Sequence, residues 1–310
     1  MTDPTTSGTE APGGAGVRLM RPAEPVAWPD GRRAAAAFTF DVDAESAVLA
    51  IDPTSGRRMS VMSHQAYGPL VGVPRLLRLL ERHGVRSTFF VPGFTALRHP
   101  STVRDIAAAG HEIAHHGFLH ESMVGLDAAT EAAALDRGLD ALEEVAGVRP
   151  VGFRAPMWEL NWHTPGLLDE RGFLYDSSLM DADVPYELAL GPTAPGGRSI
   201  VEVPVSWGLD DWEQYCYLPD LSGSGLIEDP AKAVSMWRQE FTALREEGGC
   251  FVLTSHPFLS GRPGRAAALE GLVAEVAADP GTWTASLEEI ARHVRGLALA
   301  PRSVLPLEEG

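Results

Sequence analysis

Four side chains pose the chemical question. Asp41 and Asp43 close the apolar run that starts at Ala34 and passes through Phe38 and Phe40. Residues two apart on a strand project to the same side, so both carboxylates face one point at its carboxyl end. Carboxylates gathered that way need a counter-charge, a proton or a cation. Further on, Gly110-His-Glu-Ile-Ala-His-His-Gly-Phe-Leu-His120 packs four histidines into a short stretch. His116 and His120 are four apart, the spacing that sets two imidazoles on one side of a helical turn. One carboxylate of the aspartate pair and these two imidazoles make a two-His, one-carboxylate set with open positions, as catalytic zinc sites require. Each feature has a plainer reading by itself, a solvated turn for the aspartates and a polar loop for the histidines. His111 and His115 are read as structural.

Other reactive groups fall at similar places. Arg154, in Gly152-Phe-Arg-Ala-Pro156, ends an apolar stretch, and its fixed charge can hold one of the aspartates ionised and oriented. His256, in Leu253-Thr-Ser-His-Pro-Phe258, ends another and is placed to give a proton to a leaving group. Tyr67, Pro156, Trp158, Asp211 and Trp212 are read as substrate-pocket residues. Simple packing is the competing reading of the aromatic segment Trp207 to Trp212.

The elements that position these groups alternate. Strand-like runs at Phe38–Phe40, Val85–Val91, Glu112–His115, Val151–Arg154, Phe173–Tyr175, Ile200–Ser206 and Cys250–Ser255 are separated by stretches of helical periodicity. Gly84, Gly110, Gly147 and Gly172 stop helices, and Asp127 is placed to cap the long Ala- and Leu-rich helix that follows it. Ile51 to Pro69 reads as a long polar connection, of the kind that forms a lid or substrate wall. The alternation predicts an α/β fold with a parallel sheet covered by helices. No G-x-G-x-x-G or P-loop pattern is present, which leaves a (β/α) barrel, where reactive groups gather at the carboxyl ends of strands.

Composition narrows the partners. The chain has 310 residues, is 45% hydrophobic and carries a formal charge of −17. That charge argues against nucleic acid or an anionic membrane, and no apolar run is long enough to span a bilayer. The first residues lack the basic head and apolar core of a signal peptide, which points to a cytoplasmic protein. The two cysteines, Cys216 and Cys250, have no metal-site spacing. The chain divides into a flexible N-terminal tail at 1–30, one barrel domain at 31–300 and a C-terminal tail at 301–310.

Thr39-Phe-Asp-Val-Asp43, His116-x-x-x-His120, Arg154-x-Pro156 and Leu253-x-x-His256, in this order, resemble the motif series of the NodB-homology polysaccharide deacetylases. The resemblance covers roughly residues 34 to 295. It implies a distorted (β/α)7 barrel and a divalent metal, usually zinc, bound by Asp43, His116 and His120. It also implies Asp41 as general base steadied by Arg154, and His256 as general acid. Two positions depart from the usual motif. Val42 separates aspartates that are normally adjacent, with Ala44-Glu45 where Gly normally follows, and Gly117 stands where Ser or Thr is usual. These departures resemble the subgroup with Helicobacter-type peptidoglycan deacetylase, cyclic imide hydrolases and allantoinase-like members, from which a homo-oligomer would be unsurprising. The expected activity is metal-dependent hydrolysis of a non-peptide C–N bond in a small N-acyl compound or cyclic imide. Deacetylation of peptidoglycan or chitin-type N-acetyl glycan fragments is the alternative. A catalytically inactive barrel used as a binding module is the alternative from another class.

Overall fold

A computed structural model describes residues 22–190, 198–221 and 226–304. Nine strands form one curled sheet: β1 (Ala34–Asp41), β2 (Thr88–Val91), β3 (Glu112–His115), β4 (Gly152–Phe153), β5 (Tyr175–Asp176), β6 (Tyr186–Ala189), β7 (Ser199–Glu202), β8 (Cys250–Ser255) and β9 (Thr282–Thr284). The order runs β6-β7-β5-β4-β3-β2-β1-β8, with β9 added to β1. Only β6 is antiparallel, folded back against β7. Between β7 and β8 the ring stays open save for one parallel bridge, Asp210 to Thr254. This is the distorted barrel that the alternating pattern and the motif resemblance led to expect.

β1 holds the sheet together because it is apolar enough to be buried on both faces. All eight of its residues are buried, as a central parallel strand demands. Its carboxyl half pairs with β2 and its amino half with β9, while β8 runs along the other side. Phe40 stacks on Phe89 at 4.9 Å, and Phe38 meets Phe251 edge-on. Helices cover the outer face. The longest, Ala128–Ala146, starts at Asp127, whose side chain accepts from Thr130 N, and ends at Gly147 with φ 65°. Both ends match the sequence-based expectation.

The connection after β1 differs from its reading as a polar loop. Glu45–Ile51 and Met59–Tyr67 are α-helices, and Gly68–Gly72 is a turn of π-helix leading into the helix Val73–His83. Its polar residues misled because they start turns of their own, as Asp52 does by accepting from Thr54 N at 2.9 Å to cap the short 3-10 turn Pro53–Arg57. Glu45, just before the connection, is buried and accepts from Arg98 Nε at 2.8 Å and His99 Nε2 at 2.7 Å. The short strands β6 and β9 and the helix Gly93–Arg98 carry too little periodicity to be read. Within the stretch that composition marks as a tail, Val26 and Trp28 are buried. The Trp28 indole donates to Gly248 O at 2.9 Å. Near the other end Arg302 is buried and bridges to Leu188 in β6. No described helix is long and apolar enough to cross a membrane.

The π-helical turn packs on the segment that follows β8 with no side chain between them. A Cβ on Gly72 would lie 2.1 Å from Pro257 O, and one on Gly261 would lie 2.5 Å from Gly72 Cα. Gly72→Ala therefore has to push the His256–Gly261 backbone away. The variant is expected to lose about 1–3 kcal/mol, as overpacked sites do, in chemical denaturation. An unchanged midpoint would contradict this contact.

Candidate active site

The polar groups converge at the carboxyl rim of the curled sheet. Asp41 ends β1, and Val42 N extends the ladder by donating to Phe90 O at 2.8 Å. That keeps the backbone extended, so Asp41 and Asp43 both line the same cavity. Asp43 O is held by Thr95 Oγ1 at 2.7 Å and Ser46 Oγ at 2.6 Å. Ala44, where the family pattern has glycine, takes φ 51° and ψ −139°, a region a Cβ disfavours.

Two imidazoles face Asp43. His116 Nε2 lies 3.5 Å from Asp43 Oδ1, and His120 Nε2 lies 3.6 Å from Asp43 Oδ2. The expectation of a helical turn between them is wrong. Residues 116–120 form a loop that reverses at Gly117 (φ 72°) and again at His120 (φ 59°), and Glu121 Oε2 ties it by accepting from Phe118 N and Leu119 N. The left-handed backbone at Gly117 gives a physical reason for glycine instead of Ser or Thr. His116 Nδ1 donates to Arg154 O at 2.7 Å, which fixes its tautomer and leaves Nε2 free toward Asp43. Burial holds the His116 pKa down at about 3, so the ring is neutral. His111 and His115 face elsewhere: His111 Nδ1 accepts from Ser87 N, and His115 Nε2 donates to Leu135 O.

Arg154 is fully buried. Its Nη1 donates to Asp41 Oδ1 at 2.8 Å and to Thr39 Oγ1 at 2.9 Å. Nε and Nη2 reach Ser177 O and Ser177 Oγ, and the guanidinium lies over the Phe90 ring at 4.1 Å. The charge is thus satisfied from β1, β2 and the residues after β5 at once.

His256 follows β8, with Nε2 3.6 Å from Asp43 Oδ2. Its Nδ1 donates to Asp211 Oδ1 at 2.7 Å, and its backbone N–H donates to the same oxygen. Burial alone would lower its pKa, but Asp210 and Asp211 outweigh that and raise it to about 10.

The cavity has a volume of about 610 Å³. Trp158, Trp207 and Trp212 line it, with Ile51, Val124 and Met157 at its mouth and no lysine or arginine among the described residues of its wall. Trp158 stacks on Trp207 at 4.3 Å. Of the expected pocket residues, Trp158 and Trp212 are in the wall, but three are not. Asp211 is fully buried behind His256, held also by Ser260 N and Ser260 Oγ. Pro156 is buried against Gly117. Tyr67 lies under Arg262, because the helix that carries it turns that ring away from the cavity. Asp210, adjacent to Asp211, takes the wall position instead. Both carboxylates approach His256 Nδ1, Asp211 Oδ1 at 2.7 Å and Asp210 Oδ1 at 3.5 Å, and the sequence holds no sign of which one also borders the cavity. Trp207, which opens the aromatic segment read as pocket lining or packing, is in the wall, and Glu159 and Glu213 are further wall residues that sequence reasoning missed. Glu213 directly follows that segment.

A cation fits this cluster. Asp43, His116 and His120 each offer a ligand atom, all within 4.8 Å of one another. Both Asp43 side-chain oxygens are buried without a hydrogen-bond partner, a costly arrangement for a carboxylate unless something positive faces it.

A curled parallel sheet with such a cluster at its carboxyl rim is the architecture of deacetylase-type barrels. The comparisons agree. A family model for polysaccharide deacetylase matches residues 61–173. The chain is 31% identical over 279 residues to the peptidoglycan deacetylase-like protein FGM2 of Gibberella zeae, covering 80% of this chain and 82% of that one. A crystal structure of a candidate polysaccharide deacetylase from Mycobacterium smegmatis superposes with a TM-score of 0.91 at 63% identity, covering 94% of this chain and 100% of that one. The PuuE allantoinase structure gives a TM-score of 0.75 at 25% identity, covering 87% and 93%. The chain belongs to the polysaccharide deacetylase family, a family of hydrolases that act on C–N bonds.

Removing one member of the buried Arg154–Asp41 pair strands the other. Arg154→Met is expected to cost about 3–5 kcal/mol, read from urea unfolding, and the double variant with Asp41→Leu should recover part of it. Additive losses would show that the pair does not act as a unit.

Proposed function

We propose that this chain is a metal-dependent hydrolase that cleaves the C–N bond of a compact, uncharged N-acyl compound or cyclic imide. One observation carries the metal: Asp43, buried with two unpartnered oxygens, faced by His116 and His120. A divalent cation such as zinc, held by Asp43, His116 and His120, would polarise the scissile carbonyl and make a water reactive near neutral pH.

The protein's own groups divide the proton work. Asp41 lies 3.9 Å from His116 Nε2 through Oδ2, while its Oδ1 is occupied by Arg154. Oδ2 is therefore the atom left to take a proton from the attacking water, with Arg154 fixing the carboxylate's orientation. His256, oriented by Asp211, gives a proton to the departing nitrogen. The two roles fit because Asp41 and His256 both border the space in front of Asp43. Away from the reactive centre the described wall holds Glu159 and Glu213 and no lysine or arginine, which favours a substrate whose non-reacting end carries no negative charge. The tryptophans supply flat apolar faces for it.

N-acetyl glycan fragments are the second reading, favoured by the name of the Gibberella relative. A cytoplasmic setting is part of the first reading, since a small soluble substrate needs no export.

Asp43→Ala and His120→Ala are expected to lose bound metal and turnover together, measured by elemental analysis and a coupled assay. Asp41→Asn should keep the metal and lose on the order of 10²–10⁴ in kcat. Full activity in chelated, metal-free protein would refute the mechanism. A metal-supplemented panel of cyclic imides, ureides, small N-acetyl compounds and N-acetylglucosamine oligomers separates the two substrate readings. Turnover confined to the oligomers would overturn the first.

A further inference from the structure

Beyond the candidate active site, an open hollow of about 480 Å³ lies on the far side of the segment that follows His256. His64, Arg262 and Arg265 line it, together with Tyr215, Tyr217 and the backbone around Gly264, and no carboxylate is in its wall among the described residues. In a chain with 42 acidic and 25 basic residues, a cavity lined only by cationic charge is out of character. Neither arginine has a carboxylate within ion-pair distance among the described residues. Arg262 lies over the Tyr67 ring at 3.6 Å and Arg265 over the Tyr215 ring at 4.3 Å. Each spends one N–H on a backbone carbonyl, Arg262 Nε on Phe258 O and Arg265 Nη1 on Leu259 O. A guanidinium has five N–H groups, so most of their donors are unspent and their planes are held by the rings.

The nearby acids are committed elsewhere. Glu228 pairs with Lys232, and Asp229 caps the helix Pro230–Glu247 by accepting from Ala231 N. Asp211 is spent on His256 and Ser260. His64 feels the surplus: burial first, then the charges of Arg262 and Arg265, push its pKa down. The helix Pro263–Ala278 opens beside the hollow without a side-chain cap, which leaves first-turn N–H groups as further donors.

We propose that this hollow binds a small oxyanion, a phosphate or carboxylate group, through the N–H edges of Arg262 and Arg265. Planar, pre-oriented guanidinium groups suit such anions. The site is separate from the cavity that holds Asp43, and it stands or falls independently of the reaction assigned there. Both arginines lie on the stretch that starts at His256, so an occupied site tethers that stretch from outside.

Isothermal titration of the intact protein with inorganic phosphate tests this, with glycerol phosphate and acetate as further arms and chloride at equal ionic strength as control. Saturable binding of phosphate or acetate is expected in the unaltered chain and in His120→Ala, and the arm that binds tighter names the group. The double variant Arg262→Gln, Arg265→Gln should bind about tenfold or more weakly, the loss expected for charge-assisted hydrogen bonds. Circular dichroism confirms its fold, and Arg262→Lys, which keeps the charge, should retain more affinity than Arg262→Gln. The proposal is overturned if no anion saturates. It is equally overturned if His120→Ala abolishes binding while the arginine variants keep it, since the anion then sits in the active-site cavity.

Discussion

The buried guanidinium of Arg154 is the interaction on which the rest of the site depends. A charge placed inside the sheet survives only if every direction around it offers an acceptor or a π face. Thr39 and Asp41 of β1, Ser177 after β5 and the Phe90 ring of β2 meet that demand. Satisfying it draws opposite sides of the curled sheet toward one centre. The carbonyl of the same residue accepts from His116. One residue thereby orients a carboxylate with its side chain and an imidazole with its backbone.

Around that centre the site is built in pairs of a reactive group and its keeper. Arg154 keeps Asp41, Asp211 keeps His256, and Thr95 with Ser46 keeps the Asp43 backbone. Among the carboxylates of the centre, Asp43 has no hydrogen-bonding keeper for its side chain, and that asymmetry sets it apart from Asp41 and Asp211. Strain accompanies the arrangement. Ala44, His120, Met157 and Trp158 all have positive φ, each at a cost of about 1–3 kcal/mol that surrounding packing must offset.

Much of this was legible in the sequence because strand geometry is strict. The spacing of Asp41 and Asp43 implied a shared side, and the structure puts both on one cavity. The barrel followed from alternation, since helical and strand periods are hard to confuse over long runs. What stayed illegible depended on partners distant in sequence. Nothing in the sequence marks Glu45 as a buried, paired carboxylate until Arg98 and His99 are seen beside it. Asp210 and Asp211 cannot be told apart until β8 supplies Thr254 and His256. The four-residue spacing of His116 and His120 invited a helix, yet Gly117 and the Glu121 carboxylate wind a loop that reaches the same end. The aromatic ring of Tyr67 pointed to a pocket, but the helix it sits on serves Arg262 instead.

The origin of the cavity's parts has an evolutionary consequence. Asp41, Asp43, His116, Arg154 and His256 sit at or just beyond strand ends of a rigid sheet, whereas Val124, Met157, Trp158 and Trp207 lie on loops and short 3-10 turns that connect the strands and α-helices. Such connections tolerate change far better than the strands do. Descendants of this scaffold can therefore exchange one set of walls for another while the reactive centre is inherited intact, so diversity of substrate within one chemistry is built into how the chain is divided.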